Sequence, residues 1–454
     1  MFSYWLKKNG YYHQILKTFY AQSIAPQSRV LQVQCRNGYL LHAVNPAYAV
    51  GVDSNPAYIQ EAREQYPQYH FFEGSIDQIT TDEPFDYIII SSAMTELYDI
   101  QQLFNQLRRF CHAGTRIIID SYSSLWEPIL WITQKMGLRR PTEFKHWVSQ
   151  SDIITFLYLS DYETIVTGRF MLLPIFIPVI SSILNRFCAY IPGINYLCLN
   201  QYVIARIKPA QQLIYDYTVS VVIPCKNERG NIRDAVMRTP LMGKVTELIF
   251  VEGGSSDGTY EEIQRVIDEF PEKKIRCFKQ QGKHKIGAVH TGFDHAQGDI
   301  FIILDADLTV APEELPLFVQ ALLECKGELI NGSRLVYGME PGAMRFVALI
   351  ANWIFSTLVS FVIQQPIKDS LCGTKVLFKK DYHRVRSAAQ IMSEVDPFGD
   401  FELLFGAAKL RLVIRDVPVH YKNRSYGESQ ISHVRDGLLL LYMVLLGCKH
   451  IRSH

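Results

Sequence analysis

Short continuous apolar runs alternate along this chain with amphipathic stretches of helical period. In the first half, apolar runs over residues 29–33, 48–52, 70–73, 85–91 and 116–121 predict strands, and segments 57–66 and 100–111 predict helices between them. Two more runs, 162–169 and 201–207, are expected at the far edge of the same sheet. Strands this uniformly apolar are buried on both faces, as in parallel sheets, and the strand–helix alternation predicts a doubly wound α/β fold. A new strand series begins at Val219, with the segments VVIPCKNE (221–228), VEGGSSDGT (251–259) and FIILDADLT (301–309). The expected organisation is therefore two α/β domains, 1–207 and 218–454, joined by a linker at 208–217. No Gly/Ser tract or residue-level repeat connects them.

Each run of the second series ends in acidic or turn residues. Ligands of open α/β sheets bind beyond the carboxyl ends of the strands. Asp305 and Asp307 place two carboxylates at one such end, and Glu228 and Glu252 stand at the ends of the other two. Hard divalent cations take oxygen ligands and also coordinate diphosphates, so this series predicts nucleotide-diphosphate chemistry. The plainer role for paired strand-end aspartates is capping of turns.

Composition narrows the field. The 454 residues carry a formal net charge of +1, with no basic stripe interleaved with aromatics, which argues against a nucleic-acid partner. The nine cysteines are scattered without a Cys-x-x-Cys pair, which speaks against structural zinc and for a reducing compartment. The first twenty residues predict one amphipathic helix, not a signal peptide. Three apolar stretches stand out: 171–184, interrupted by Pro174 and Pro178; 343–363, with Arg345, Asn352, Ser356 and Ser360 on one helical face; and 438–446, followed by Lys449, His450, Arg452 and His454. The last two are expected as helices lying in a membrane surface, with burial in a core as the other reading. An oligomer interface is an alternative for all three.

Over roughly residues 11–207 the outline resembles a class I S-adenosylmethionine-dependent methyltransferase. VLQVQCRNG (30–38) and VGVDSNP (50–56) stand where that family has its Gly-rich turn and the acidic residue that follows the second strand. The resemblance implies S-adenosylmethionine contacts at Gly38, Asp53 and Asp77, with Asp53 suited to a pair of ribose hydroxyls. The family pattern of an acidic residue followed by Gly-Cys-Gly-x-Gly is here replaced by Gln32, Gln34, Cys35, Arg36 and Asn37, and only Gly38 agrees. Gln34 and Arg36 put bulk where glycines would admit the cofactor. Glu96 and Tyr98, after the fourth strand, are candidate acceptor contacts or plain surface residues.

From residue 218 onward the ordered motifs closely resemble family 2 glycosyltransferases with the GT-A fold, nearest to polyprenyl-phosphate sugar synthases of the dolichol-phosphate mannose synthase type. The resemblance implies that Pro224, Glu228, Glu252, Lys285 and Asp305 bind the donor nucleotide, and that Asp305 and Asp307 hold Mg²⁺ or Mn²⁺. Lys283 either shares the phosphate contact or is a solvated charge. Asp257 is read as a helix N-cap. DSLCGTKVLFKK (369–380) implies an acceptor wall that includes Cys372 and Gly373, and GDFELLF (399–405) implies acceptor-side carboxylates Asp400 and Glu402. Arg424 implies a phosphate contact from a loop that folds over the site. Relatives carry Lys near Gln430 and Arg near His433, and this chain departs from both.

The expected protein is thus a metal-dependent inverting glycosyltransferase. It moves a sugar from a nucleoside-diphosphate sugar to a polyprenyl phosphate, and sits peripherally on the cytoplasmic face of a membrane. Asp307, Asp400 and Arg424 are its expected catalytic group. The alternatives are a bifunctional glycosyltransferase–methyltransferase, or transfer to a sugar hydroxyl with the first domain as a non-catalytic docking module.

Overall fold

The computed structural model describes residues 2–79, 81, 83–94, 96–97, 99–142, 148–208, 216–336, 346–389, 396, 398–424, 426 and 433–452. The chain divides into two compact units, Met1–Pro209 and Ala210–Arg452. Each is built on a seven-stranded sheet with helices against it.

The strands of unit 1 are β1 (Arg29–Val33), β2 (Tyr48–Asp53), β3 (His70–Glu73), β4 (Phe85–Ser91), β5 (Cys111–Tyr122), β6 (Tyr162–Phe170) and β7 (Asn200–Ile207), in the order β3-β2-β1-β4-β5-β7-β6. The first five are parallel, and β7 runs antiparallel to both β5 and β6. Its helices are α1 (Phe2–Lys8), α2 (Gly10–Ser23), α3 (Tyr39–Ala43), α4 (Pro56–Gln65), α5 (Ile100–Leu107), α6 (Glu127–Lys135), α7 (Gln150–Leu159) and α8 (Ile180–Arg186). Alternate residues of the central strands, Leu31 and Val33 with Ile88 and Ile90, share one buried cluster with α5 and α7, as the period of two requires.

Two local expectations change. The N-terminal helix is broken at Asn9, whose φ of −109° and ψ of 38° are not helical. Asn9-Gly10 joins two poor helix formers, so the break is inexpensive. The segment expected as one helix to residue 111 is α-helical only to Leu107, tightens to a 3-10 turn over Arg108–Phe110, and Cys111 already belongs to β5. There the Thr115 hydroxyl donates to the carbonyl of Phe85 at 2.6 Å and accepts from the His112 N–H, holding the early strand onto β4.

The strands of unit 2 are β8 (Thr218–Cys225), β9 (Val245–Glu252), β10 (Lys274–Lys279), β11 (Ile300–Ile303), β12 (Leu329–Ser333), β13 (Lys375–Phe378) and β14 (Ile414–Pro418), in the order β10-β9-β8-β11-β13-β12-β14. Only β13 is antiparallel to its neighbours. The helices are α9 (Arg229–Arg238), α10 (Thr259–Glu269), α11 (His284–His295), α12 (Leu315–Leu323), α13 (Phe346–Ile363), α14 (Lys379–Ala388), α15 (Asp400–Lys409) and α16 (His433–Gly447). Val221 and Ile223 face one buried cluster with α9, α10 and α12, while Val222 faces the other with α11, α13, α15 and α16. Gly292 lets α11 lie directly on β8, where a Cβ would overlap the Val222 side chain.

The 343–363 stretch shows why hydropathy alone misleads. Arg345 lies outside the described residues. The polar stripe of α13 points inward: Asn352 and Ser356 are buried, and Ser360 bonds the backbone of Ile367. Val359, Val362 and Ile363 enter the core, while Ile350, Trp353 and Ile354 are exposed. On α16, Leu440, Met443 and Val444 are buried and Leu438, Leu441, Tyr442 and Leu445 are exposed. Both helices are therefore part core and part apolar surface. Among the described residues no helix is long and apolar enough to cross a membrane.

Candidate active site

In unit 2 the strand order reverses between β8 and β11, so their carboxyl ends open a crevice there. Pro224 is the penultimate residue of β8, and Glu228 follows on the turn into α9. Glu252 closes β9, and Asp305 and Asp307 follow β11. Residues 420–424 and 426 return over this end. Tyr421 bridges Val310, Lys422 N–H donates to the Thr309 carbonyl, and the Tyr426 ring lies against Gly230 at the start of α9.

Cations and carboxylates alternate across the crevice. Arg424 Nη2 donates to Asp307 Oδ2 at 2.6 Å, and its Nη1 lies 3.7 Å from Glu228 Oε1. Lys285 Nζ pairs with Asp305 Oδ1 at 2.5 Å. Lys375, fully buried, donates to Asp400 Oδ1 at 2.9 Å and to the Cys372 carbonyl at 2.6 Å. Burial pushes the Glu228 carboxyl up to about 7, helped by Asp307 and Asp257 and opposed by the Asn231 amide and Arg424. Burial opposes charge on Lys285 and Asp305 alike, yet each holds the other ionised: Lys285 above the usual ammonium range, Asp305 below the usual carboxylate range.

Gly373 sits against this pair. A Cβ there would overlap Asp305 Oδ2 and Lys285 Nζ. Because misplacing a reacting group by about 1 Å costs on the order of a hundredfold, Gly373→Ala is expected to lower any transfer rate about a hundredfold. Steady-state rates beside a thermal unfolding curve check this; an unchanged rate would separate Gly373 from the site.

Other expected residues stand elsewhere. Cys372 is fully buried and its thiol is pushed up to about 12 by desolvation. Glu402 is fully buried and paired with His290 Nε2 at 2.9 Å. Both side chains are interior, and α15 turns Glu402 toward His290 of α11. Asp396, pushed up to about 6 by burial, caps α15 by accepting from the Phe401 and Glu402 N–H groups. Lys283 is exposed at the cap of α11. Asp257 is not itself the cap of α10, a position held by Gly258. Its carboxylate accepts from the first N–H of both α9 and α10, at Arg229 and Thr259. Glu252 accepts from the Ser255 N–H. Gln430 lies outside the described residues.

Sequence reading missed Arg334. Its guanidinium makes a two-pronged pair with buried Asp369, Nε to Oδ2 at 2.7 Å and Nη2 to Oδ1 at 3.0 Å, and Asn352 adds a third donor at 2.8 Å. Burial opposes the Asp369 charge, but Arg334 and these donors hold the carboxyl down to about 2. The available signal was its place one residue beyond a strand, as with the other crevice residues.

In unit 1 the strand order reverses between β1 and β4, and the turn 34–38 lies at that point. Gln34 and Arg36 adopt φ of 56° and 52°, left-handed values that non-glycine residues take rarely. Asp53 is buried, and each of its oxygens already accepts a backbone N–H, Oδ2 from Arg36 at 2.8 Å and Oδ1 from Asn55 at 2.9 Å. The Arg36 guanidinium reaches across to the Ser92 carbonyl and Glu96 Oε1, both at 3.5 Å, under the buried ring of Phe2. Arg140 completes the group at 2.6 Å from Glu96. Asn37 Nδ2 lies within hydrogen-bond reach of Ser3, Glu61 and Gln65, which fastens α1 over the turn. Gly38 caps α3 with φ of 75° and faces the Phe71 ring. Asp77 is exposed and accepts from Gln106 at 3.0 Å. Tyr98 lies outside the described residues.

Two sheets whose switch points carry their polar residues define a nucleotide-binding class of α/β protein. The family model for Glycosyl transferase family 2 matches residues 220–386, and that for a Methyltransferase domain matches residues 24–153. The chain thus joins a methyltransferase-type domain to a family 2 glycosyltransferase domain. It is 30% identical over 220 residues to a dolichol-phosphate mannosyltransferase of Pyrococcus furiosus, covering 47% of this chain and 59% of the relative. It is 36% identical over 107 residues to an undecaprenyl-phosphate 4-deoxy-4-formamido-L-arabinose transferase of Edwardsiella ictaluri, covering 23% of this chain and 33% of the relative. The chain therefore spans 59% and 33% of those two relatives' lengths. Among solved structures, glucosyl-3-phosphoglycerate synthase from Mycobacterium tuberculosis with UDP is 20% identical, with a TM-score of 0.37 over 51% of this chain and 80% of that one.

The two implied cofactors fare differently. Asp305 and Asp307 offer oxygen donors, and no third His, Cys, Asp or Glu converges with them among the described residues. That set fits an ion of the Mg²⁺ type, which takes one or two carboxylates and fills its shell with water and substrate phosphate. In unit 1 the Arg36 side chain and Phe2 crowd the switch point, and each Asp53 oxygen already accepts one backbone N–H. We expect calorimetric titration with S-adenosylmethionine to give no heat and no shift of the unfolding midpoint. Saturable heat would overturn this reading of the turn.

Proposed function

We propose that unit 2 transfers one sugar from a nucleoside-diphosphate sugar to a polyprenyl phosphate, by direct displacement with inversion, at the cytoplasmic surface of a membrane. The observation that carries the reading is the row of alternating charges at the β8–β11 switch point: Glu228 and Asp307 with Arg424, and Asp305 with Lys285. Glu228 and Glu252, at neighbouring strand ends, hold the nucleoside, and Pro224 shapes the floor beneath it. Asp305 and Asp307 hold the divalent ion, Mg²⁺ or Mn²⁺. When bound, that ion neutralises charge developing on the leaving diphosphate.

Lys285 and Arg424 are each satisfied by an aspartate without substrate, so both exchange carboxylate for phosphate oxygens when donor enters. Arg424 suits this role because a guanidinium grips two phosphate oxygens at once. Gly373 keeps the Asp305–Lys285 pair uncrowded. A phosphate acceptor is already ionised near neutral pH, its second pKa being about 6, so it needs no general base. Asp400, committed to Lys375, then orders the acceptor side without removing a proton. The relatives' names, which specify dolichol and undecaprenyl phosphates, support a lipid phosphate over a sugar hydroxyl.

The test offers labelled UDP- and GDP-sugars with polyprenyl phosphate and Mg²⁺ or Mn²⁺, beside an Asp307→Asn control. Lipid-linked label that vanishes in the control supports the reading and identifies the donor. Label transferred only to a sugar hydroxyl would overturn the lipid acceptor and return Asp400 to the role of base.

A further inference from the structure

At the carboxyl edge of the unit 1 sheet, two apolar segments leave the fold side by side. One follows β5 and includes α6; the other connects β6 to β7 and includes α8. The register places their roots together, because Asn200 of β7 pairs with both Tyr122, the end of β5, and Phe170, the end of β6. A side chain ties the same base: Trp126 Nε1, just beyond β5, donates to the Leu197 carbonyl, just before β7, at 2.9 Å. Together they form one face.

That face is turned inside out relative to an ordinary surface loop. Its large apolar side chains point outward: Trp131 is 58% exposed, Met136 66%, Phe176 63%, Val179 70% and Phe187 67%. Two polar side chains of the β6–β7 connection point inward and are satisfied there. Asn185, buried, accepts from the Leu173 N–H at 2.9 Å and donates to the Leu173 carbonyl and the Tyr11 hydroxyl. Ser181 does the same for both backbone groups of Ile177. Internal satisfaction of polar groups beneath an apolar exterior is what a lipid environment demands. A contiguous patch of this kind on a water-facing domain marks an interaction surface.

Charge selects the partner. From residue 171 to 199 there is no Asp or Glu, and α6 with its flank (124–142) has the single acid Glu127 against Lys135 and Arg139, Arg140 being paired with Glu96. Exposed Lys135 rests 3.7 Å over the Trp131 ring, exposed Lys8 bonds the Gly137 carbonyl, and Arg186 is exposed at the end of α8. An apolar, Trp-bearing face rimmed by cations and nearly free of acids is complementary to an anionic bilayer, whose headgroups attract each nearby Lys or Arg by roughly 1 kcal/mol.

We propose that unit 1 is a membrane-docking module, and that the face formed by α6 and the β6–β7 connection seats in an anionic lipid surface. The proposal gives the membrane contact of the proposed function a place, but it rests on unit 1 alone and holds whatever the acceptor proves to be.

The test uses the full chain and sedimentation with vesicles of phosphatidylcholine alone or mixed with phosphatidylglycerol. The comparison is a variant carrying Trp131→Ser, Phe176→Ser, Val179→Ser and Phe187→Ser, all at exposed positions, with unchanged circular dichroism as the check on folding. The expected result is binding to the mixed vesicles, weakened by salt, and at least tenfold weaker in the variant. Transfer to a short, water-soluble prenyl phosphate is measured in parallel and stays unchanged, which separates failure of docking from failure of the proposed reaction. Three results would overturn the proposal: wild-type chain left in the supernatant, equal binding by the variant, or a wild-type dimer in solution that the variant makes monomeric.

Discussion

Asp307→Asn is expected to lower sugar transfer about a thousandfold while leaving the fold intact. Asp307 does two jobs at one point. In the proposed reaction it offers an oxygen for the divalent ion, and its Oδ2 anchors Arg424 at 2.6 Å while Oδ1 accepts from the Thr309 N–H and hydroxyl. Stabilising the charge of a leaving diphosphate is worth several kcal/mol, and each ~1.4 kcal/mol is tenfold in rate, so ~4 kcal/mol gives three orders of magnitude. The amide keeps the Thr309 contacts but loses the charge. The loss is therefore expected mainly in kcat, and steady-state kinetics across ion concentrations resolve it. A loss under tenfold, at saturating ion, would remove Asp307 from the reaction centre.

The second large effect concerns stability. Asp369→Ala is expected to destabilise unit 2 by about 3–5 kcal/mol, because it strands the Arg334 guanidinium without its counter-charge in a nearly buried place. Asp369 accepts from Arg334, Asn352 and the N–H of Leu371, so the alanine also orphans several donors at once. For a unit of this size each kcal/mol moves the unfolding midpoint by about 2–4 °C, which puts the expected drop near 10 °C. The double variant Arg334→Met with Asp369→Leu is expected to recover the part of that loss due to the stranded charge, while the Asn352 and Leu371 donors stay without their acceptor. Thermal unfolding of the three chains checks both statements. A single variant within 1 kcal/mol of wild type, in the sense of ~3 °C, would show that water reaches the pair.

Two structural details qualify what pattern reading can deliver. The stripe of Asn352, Ser356 and Ser360 was legible as one face of a helix, but the direction in which it points was not. Inside the fold it meets Asp369 and the backbone of Ile367, so the polar face is the buried one. Likewise, Gln34 and Arg36 were legible as bulk in a turn that usually carries glycines. That Arg36 reaches to Ser92 and Glu96, and so fills the switch point itself, depends on residues 56 and 60 positions away.

The sequence by itself determined the two α/β sheets and the strand ends that matter, because strand burial writes a continuous apolar run and the ligand edge interrupts it with Glu228, Glu252, Asp305 and Asp307. It also raised the expectation of cation and diphosphate chemistry, since carboxylates at such an edge suit a hard cation that can in turn bind phosphate. Only the tertiary structure decided which cation meets which carboxylate. Lys285 with Asp305, Arg424 with Asp307, Lys375 with Asp400 and Arg334 with Asp369 join residues 20 to 117 positions apart, and no local periodicity encodes such pairs. It alone decided, too, that Cys372 and Glu402 are interior and that the 171–197 region is surface. Hydropathy measures how much a segment avoids water, and packing against the rest of the chain settles whether the fold itself or another apolar phase supplies the cover.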